Sequence, residues 1–426
     1  DDGNVTTVTS IPFDDICDIY EITLKDGRKV RASNNHLWNV WVHGRKELQT
    51  LTTEELLKIY KRRRKVSDRN PSGIEYICSI PKNEGVEFRE KPTLVDPYTF
   101  GLLLGDGCFR HKSCYYTCCD SDFEEIKNYI PYKYTKWSSK FAYRLHIDNW
   151  KNILETYGLY YKKSEDKFIP EEYKCNSRRV RLEILKGIID SDGYLDNNGA
   201  YVITLTSKQL IDDIVFICRS LGYNCSYSKN KSGYKKDGVY IECLPVYQLI
   251  IHTDDVLCKL SRKIRTHGYE SNYSKSKMLK TRIVNIEYIG KQKAKCVTVN
   301  NKSHCYLIND FITTHNSKSY SVAAVLSKCF VVGDNEETQK NVRAMVTAYQ
   351  KEYLTKDGTL NKFVEMIDFQ AQHTQFPSKR LRSSLQDMQW KMGYVDLDTG
   401  AQKGTLNEVI GVSSKDDPDK LRGKRS

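Results

Sequence analysis

Two segments of this chain repeat one pattern, an apolar run that ends in Asp-Gly. Thr99 to Phe109 is TFGLLLGDGCF and Leu185 to Leu195 is LKGIIDSDGYL. They align when Asp106 is placed on Asp192. Such runs predict two helices that are buried in one core.

Each predicted helix carries two small residues four positions apart, Gly101 with Gly105 and Gly187 with Ser191. Residues at this spacing share one helix face. Small side chains there allow two helix backbones to approach closely. We therefore expect the helices to pack side by side, each ending at a glycine that forms a left-handed cap.

Side-by-side packing would bring Asp106 and Asp192 together at two helix C-termini. The carboxylates would repel each other and the negative ends of both helix dipoles. A divalent cation between them would remove the conflict, and oxygen ligands favour Mg²⁺. Such a metal activates water and stabilises a leaving phosphate oxygen. The alternative is two buried helices that happen to end in Asp-Gly.

The composition is basic, which suggests either a polyanionic partner or a solvated lysine-rich surface. Among 426 residues, 67 Lys and Arg against 54 Asp and Glu give a formal charge of +13, and there are 29 tyrosines. Nucleic acid is the simplest such partner; a solvated lysine-rich surface is the alternative. The sequence contains no apolar run of about 18 residues, so it predicts no membrane-spanning helix. The start does not resemble a secretory signal, and the scattered cysteines favour a reducing cytoplasm.

The paired segments resemble the motif of LAGLIDADG homing endonucleases, with Leu104 in place of the first acid of motif one. The resemblance implies a mixed α/β fold, Mg²⁺-dependent hydrolysis of double-stranded DNA, and Asp106 and Asp192 as catalytic and metal-binding acids. It also implies DNA-binding strands, which we expect near 114–118, 141–147, 200–207 and 239–251. The candidate phosphate-binding side chains are those of Lys229, Lys231, Lys235 and Lys236.

Strand-rich segments flank this region. Asp18 to Leu24 alternates polar and apolar residues, Lys25 to Gly27 predicts a turn, and the chain then pairs back. Strand patterns return after Arg282. An all-β unit split by an insertion resembles an intein of the Hint type.

Two blocks carry that second resemblance. Asp26 to Trp38, DGRKVRASNNHLW, contains Ser33 and His36; Cys296 to Ser317 is CVTVNNKSHCYLINDFITTHNS. The candidate residues of the second block are His304, His315, Asn316 and Ser317.

The chemistry of a splice junction accounts for these residue types and needs no cofactor. The side-chain amide nitrogen of Asn316 attacks its own main-chain carbonyl carbon, which forms a succinimide and breaks the bond to Ser317. His304 and His315 polarise that carbonyl and move protons. Ser317 supplies a nucleophilic hydroxyl. The alternative is a β-domain whose last strand happens to end in His-Asn-Ser.

Ser33 and His36 would polarise the upstream scissile amide of such a unit. Inteins begin with Cys or Ser, whereas residue 1 here is Asp. We therefore expect either the C-terminal piece of a split intein, which splices in trans with a separate N-terminal fragment, or a truncated chain.

The residues after the junction predict part of a nucleotide-binding protein. Lys318 and Ser319 fit the end of a phosphate-binding loop, in which Lys contacts phosphates and a hydroxyl contacts Mg²⁺. The region resembles the ATPase of a phage large terminase. ATP with Mg²⁺ would bind only the completed host protein, in the cytoplasm of the host cell; another P-loop ATPase is the alternative.

The sequence thus predicts a multidomain chain. An all-β Hint splicing fold (1–92 and 270–316) is interrupted by an α/β endonuclease (93–269) and followed by a P-loop α/β ATPase fragment (317–426). The alternative functions are a DNA endonuclease with an inactive splicing domain and a DNA-packaging ATPase with a degenerate insertion.

Overall fold

The structure is a computed structural model, and it describes only part of the chain. The described residues are 5–66, 71–137, 141–236, 239–264, 280–300, 303, 305–315, 343–348, 354–355, 359–373, 380–384, 387–392, 394–403 and 406–413. Within them, three separate clusters of buried apolar side chains form, and most elements are strands. The protein is therefore multidomain and rich in β-sheet.

The helices of the described residues are α1 (Thr53–Ile59), α2 (Pro97–Asp106), α3 (Asp120–Ile126), α4 (Trp150–Thr156), α5 (Glu171–Lys174), α6 (Arg178–Asp192), α7 (Lys208–Ser220) and α8 (Thr359–His373). None of them is long and apolar enough to cross a membrane.

The strands before α6 are β1 (Val8–Leu24), β2 (Lys29–Ser33), β3 (Leu37–Val42), β4 (Gln49–Thr52), β5 (Lys61–Arg63), β6 (Ile74–Tyr76), β7 (Cys78–Pro81), β8 (Gly107–Cys108), β9 (Cys114–Thr117), β10 (Tyr134–Lys136) and β11 (Ala142–Leu145). Those between α6 and α8 are β12 (Gly193–Leu195), β13 (Tyr201–Leu205), β14 (Asn224–Asn230), β15 (Gly233–Lys236), β16 (Val239–Glu242), β17 (Val246–His252), β18 (Lys280–Val299), β19 (Cys305–Ile308), β20 (Ile312–His315) and β21 (Arg343–Ala348). After α8 come β22 (Arg380–Ser384), β23 (Gln389–Met392), β24 (Tyr394–Val395), β25 (Gln402–Lys403) and β26 (Glu408–Ser413).

The first unit is a six-stranded sheet that contains both early and late strands, in the order β2-β1-β18-β7-β3-β4. The predicted hairpin is confirmed: β1 and β2 pair antiparallel across a turn in which Gly27 has φ +84°. In β3, side chains alternate between the core and the surface, and Trp38 and Val40 are buried. Because β1 pairs with β18 along its length, the chain between β7 and β18 is an insertion into this sheet.

The inserted unit has two four-stranded antiparallel sheets, β10-β11-β9-β8 and β12-β13-β17-β14. The first sheet begins directly after α2, and the second begins directly after α6. Both helices contribute buried side chains to one core, among them Phe100 and Leu103 from α2 and Ile184 and Ile188 from α6. The sequence repeat is therefore also a structural repeat.

The expected left-handed caps are wrong. Gly107 and Gly193 have φ −88° and −98°, extended values that any residue adopts. Their N–H groups donate to Leu103 and Ile189, and the chain enters β8 and β12 at once. A Cβ on Gly107 would lie 2.3 Å from the carbonyl oxygen of Leu103. Glycine is needed here for close approach of the backbone to the helix end, and its freedom to adopt positive φ is unused.

The third unit, late in the chain, has the sheet β21-β26-β23-β22, in which β21 and β26 are parallel. α8 covers it through Leu360 and Phe363, which pack with Trp390 of β23 and Val409 of β26.

Candidate functional site

The side-by-side packing of α2 and α6 is confirmed, and it is closest at the glycines. A Cβ on Gly101 would lie 2.2 Å from the carbonyl oxygen of Ile184, and one on Gly187 would lie 2.2 Å from that of Tyr98. These neighbours are backbone atoms, so no side-chain rearrangement could make room. The sequence thus brings two helices into direct backbone contact because no side chain separates them.

The crossing places Asp106 and Asp192 beside each other, each as the last residue of its helix. Burial, and after it the negative charge of Asp106, raises the pKa of Asp192 to about 6. Burial also raises the pKa of Asp106, although this residue keeps an exposed face. The charge of Asp106 thus makes ionisation of Asp192 less favourable, which is the repulsion expected from the sequence.

Two buried lysines that the sequence reasoning missed complete this arrangement. Lys167 Nζ donates to the carbonyl oxygens of Leu104 at 2.8 Å, Gly105 at 3.0 Å and Gly107 at 2.9 Å. Lys263 Nζ donates to those of Ile189 and Asp190, both at 2.8 Å. Each lysine therefore caps the C-terminus of one acid-bearing helix, where carbonyl groups lack helical partners.

The lysines also supply positive charge next to the acids. Burial lowers the pKa of Lys167 to about 8, and the carboxylates of Asp192 and Asp106 oppose that shift. Burial likewise lowers the pKa of Lys263. In the other direction, both cations favour the ionised form of Asp106 and Asp192. The two lysines therefore offset part of the negative charge of the paired acids.

The only sequence signal for these lysines is weak. Each lies late in its half of the insertion, within two residues of a serine or a short polar turn, and is followed by an apolar residue, Phe168 or Ile264. Many surface lysines have such neighbours. Only the fold shows that the two occupy similar places: Lys167 directly follows the 3₁₀ turn Ser164–Asp166, and Lys263 is the last residue of the 3₁₀ turn Ser261–Lys263.

Asp190, the other acid of motif two, has a structural role. Its carboxylate accepts hydrogen bonds from the hydroxyl of Tyr98 at 2.8 Å and from the backbone N–H of Lys259 at 2.8 Å and of Leu260 at 3.3 Å. It thereby anchors the segment that delivers Lys263. Leu104, its counterpart in motif one, is a buried core residue.

The donor set fits an oxygen-preferring cation. Asp106 and Asp192 supply carboxylate oxygens, and burial raises the pKa of both groups, with a smaller contribution from Asp106 to that of Asp192. Among the described residues, no group of three or more His, Cys, Asp or Glu forms a metal-binding cluster. Two carboxylates with the remaining positions open suit Mg²⁺, which keeps several waters or takes phosphate oxygens.

The candidate DNA-binding lysines lie on β14, on β15 and in the loop that joins these strands. Lys229, Lys231 and Lys235 are exposed there, and the side chain of Lys236 lies outside the described residues. The predicted strands are present as β9, β11, β13, β16 and β17. The two sheets thus offer polar strand surfaces beside the helix crossing.

Two of the predicted splicing residues lie together in the first unit, where β20 packs against β3. His36 and His315 lie close together, and a ring nitrogen of His36 forms a short hydrogen bond with the hydroxyl of Thr314. Burial, with a smaller effect of His315, lowers the pKa of His36 to about 4. The ring of His36 contacts Trp38 edge-on at 4.7 Å between centroids. Its imidazole is therefore neutral at pH 7.

Ser33 is half-buried at the end of β2, and its carbonyl oxygen accepts the backbone N–H of His36 at 3.1 Å. His315 is buried as the last residue of β20. The remaining predicted residues, His304, Asn316, Ser317, Lys318 and Ser319, lie outside the described residues.

Comparison with known proteins supports the interpretation of the inserted unit. Residues 168–276 match the family model described as homing endonuclease. The match contains the second acid motif and Lys263. It covers about a quarter of the chain, so it describes this region and not the whole protein.

One curated relative is the replicative DNA helicase DnaB of Mycobacterium intracellulare. It is 27% identical over 240 residues, which are 56% of this chain and 38% of the relative. The chain thus spans well under half the length of that relative. Only 110 residues follow Asn316, which is fewer than half of the 240 matched residues. Most of the match therefore lies before Asn316. The relative is a helicase, whereas the sequence resemblance was to a terminase.

Three similar solved structures are of the homing endonuclease I-DmoI. A mesophilic variant is 14% identical and covers 37% of this chain and 88% of its own, with a TM-score of 0.24. I-DmoI with DNA and Ca is 14% identical and covers 39% and 93%, with a TM-score of 0.26. I-DmoI with DNA and Mn is 15% identical and covers 37% and 89%, with a TM-score of 0.23.

Proposed function

We propose that the inserted unit is a metal-dependent endonuclease that hydrolyses double-stranded DNA, nested in a protein-splicing unit. One observation carries the endonuclease: the helix crossing pairs Asp106 with Asp192, and a buried lysine caps each helix end. The match of residues 168–276 to the homing endonuclease family supports it.

Each group of residues in the inserted unit would have its own part in the reaction. Asp106 and Asp192 would hold Mg²⁺, and this ion would supply an activated water and neutralise a leaving oxygen. Lys167 and Lys263 hold the helix ends in place and favour the ionised form of the acids. Exposed lysines on β14 and β15 would bind phosphates, which positions DNA without selecting its bases.

The test is cleavage of supercoiled plasmid that carries a library of random inserts, with Mg²⁺ present. The wild-type chain is expected to linearise a subset of the library. Asp192→Asn should abolish cleavage because it removes a metal ligand, whereas Asp254→Asn, at an exposed carboxylate, should not. Equal cleavage by wild type and Asp192→Asn would refute the assignment.

We further propose that the first unit cleaves the bond between Asn316 and Ser317 by cyclisation of Asn316. The support is that β20 ends at His315 beside His36, one residue before Asn316. The neutral imidazole of His36 offers one hydrogen-bond donor and one acceptor beside His315.

Mass spectrometry of the purified chain tests this step. The wild type should lose the residues after Asn316, and Asn316→Ala should stay intact while still cleaving DNA. A wild-type chain that stays intact would refute cleavage at Asn316.

The host is proposed from sequence as a P-loop ATPase that acts on DNA, with terminase and helicase as the two candidates. The terminase rests on the resemblance around Lys318 and Ser319. The helicase rests on the DnaB relative, although most of that match precedes Ser317. Sequencing the gene on both sides of the insertion would decide between them.

A further inference from the structure

The turn between β19 and β20 has an unusual backbone. Asn309, Asp310 and Phe311 follow one another at φ +30°, +53° and +61°. Residues with side chains avoid this left-handed region, and three in succession are strained. Contacts with the rest of the protein must therefore hold the turn in place.

The first unit holds the turn by its backbone. Arg28 is buried and forms a salt bridge with Asp26, with 2.8 Å between Nη2 and Oδ2. Its Nη1 donates to the carbonyl oxygen of Asp310 at 3.0 Å. The side-chain amide of Asn83, just after β7, donates to the carbonyl oxygen of Phe311 at 3.1 Å.

The inserted unit holds the same turn by its side chains, through α7. Arg219 Nη1 lies 3.1 Å from Asp310 Oδ2, and the Arg219 side chain is only 12% exposed. The ring of Phe216 meets that of Phe311 edge-on, with 5.0 Å between centroids. Asn83 links both sets of contacts, since its amide also lies 3.4 Å from the carbonyl oxygen of Arg219.

The turn leads directly into β20, which is four residues long and buried throughout. A short strand has little pairing of its own to fix its register, so its position depends on the turn. β20 ends at His315 beside His36, and Asn316 comes next.

From this geometry we infer that Phe216 and Arg219 of the endonuclease unit are positioning residues for cleavage at Asn316. They hold the strained turn and so hold His315 against His36. The inference rests on the proposed splicing function and adds that the inserted unit takes part in it.

The experiment measures the first-order rate of cleavage at Asn316 in the full chain, by mass spectrometry. Arg219→Gln and Asp310→Asn should each slow cleavage roughly threefold to tenfold, and the double variant should be no slower than either single one. Arg219→Lys should recover much of the rate. Lys208→Gln removes an exposed cation at the other end of α7, and we expect it to leave the rate unchanged.

Two further measurements separate positioning from general instability. The amides of Ile312 to His315 should exchange hydrogen faster in Arg219→Gln, while plasmid cleavage stays at the wild-type level. If the wild type cleaves at Asn316, and Arg219→Gln and Phe216→Leu each cleave at the same rate as the wild type, this inference alone is overturned. A wild type that never cleaves would overturn the proposed splicing, and this inference with it.

Discussion

Replacing Gly187 by alanine should force α2 and α6 apart. The new Cβ would lie 2.2 Å from the carbonyl oxygen of Tyr98 and 2.8 Å from the amide nitrogen of Leu102, whereas ordinary contacts begin at 3.4 Å. The helices must therefore separate by about 1 Å, since backbone atoms cannot rotate away.

The free energy of this change can be estimated. Overpacking against backbone should cost about 3 kcal/mol, the upper end of the usual range. The higher helix propensity of alanine returns about 1 kcal/mol. The net loss of about 2 kcal/mol should appear as faster hydrogen exchange of the α2 amides. A displacement of about 1 Å between the paired acids should also slow DNA cleavage roughly 100-fold.

Gly105→Ala is the matched control because its clash is with a side chain. Its Cβ would lie 2.9 Å from Asp192 Oδ2, a side-chain atom that can rotate away, and closer to two atoms of Ser191, at 2.0 Å from Oγ and 2.6 Å from Cβ. Adding Ser191→Gly removes both atoms, so the double variant should recover the exchange rates of the wild type. No side-chain change can rescue Gly187→Ala in this way. Wild-type exchange in Gly187→Ala, or no recovery in the double variant, would refute the reasoning.

Three further predictions concern charged groups. Lys167→Met leaves helix carbonyls unpaired, so it should lower the free energy of unfolding by about 3 kcal/mol. It also removes a cation that lowers the pKa of Asp192, so this pKa should rise further, and an NMR carboxylate titration that finds no rise would contradict the prediction. Asp190→Asn should reduce thermal stability but keep DNA cleavage, whereas Asp192→Asn should do the reverse; loss of cleavage in the first variant at temperatures where it is folded would count against a structural role. The pKa of His36 is lowered to about 4, so its contribution to stability is full above pH 6.5 and is lost as the pH falls towards 4. Between pH 7 and 4.5, the free energy of unfolding in urea should fall by about 1 to 3 kcal/mol in the wild type, and this loss should be missing in His36→Gln. An equal loss in both proteins would refute the prediction.

The helix pair was predictable because its signal is local. Gly101 and Gly187 lie within apolar runs, and spacing alone shows that small residues share a face. The direction of the chain after Gly107 was not predictable. Whether a glycine at a helix end turns left-handed or stays extended depends on the next element of the chain, and here β8 begins at once.

The roles of the acids and lysines divide in the same way. Sequence singled out Asp106 and Asp192 because each ends a repeated motif. It assigned no role to Asp190, since that role depends on the distant partners Tyr98 and Leu260. Lys167 was also beyond reach because nothing in its local sequence distinguishes it from a surface lysine.

By itself, the sequence determined the repeat, the glycine-lined helix faces, the paired acids and the early hairpin of the sheet, because each depends on residues a few positions apart. The tertiary structure alone decided which lysines cap the acid-bearing helices and which acid is structural. It also decided that side chains of α7 contact the turn before β20. Those outcomes depend on contacts between residues far apart in the chain, and only the folded packing of the units brings them within hydrogen-bonding distance.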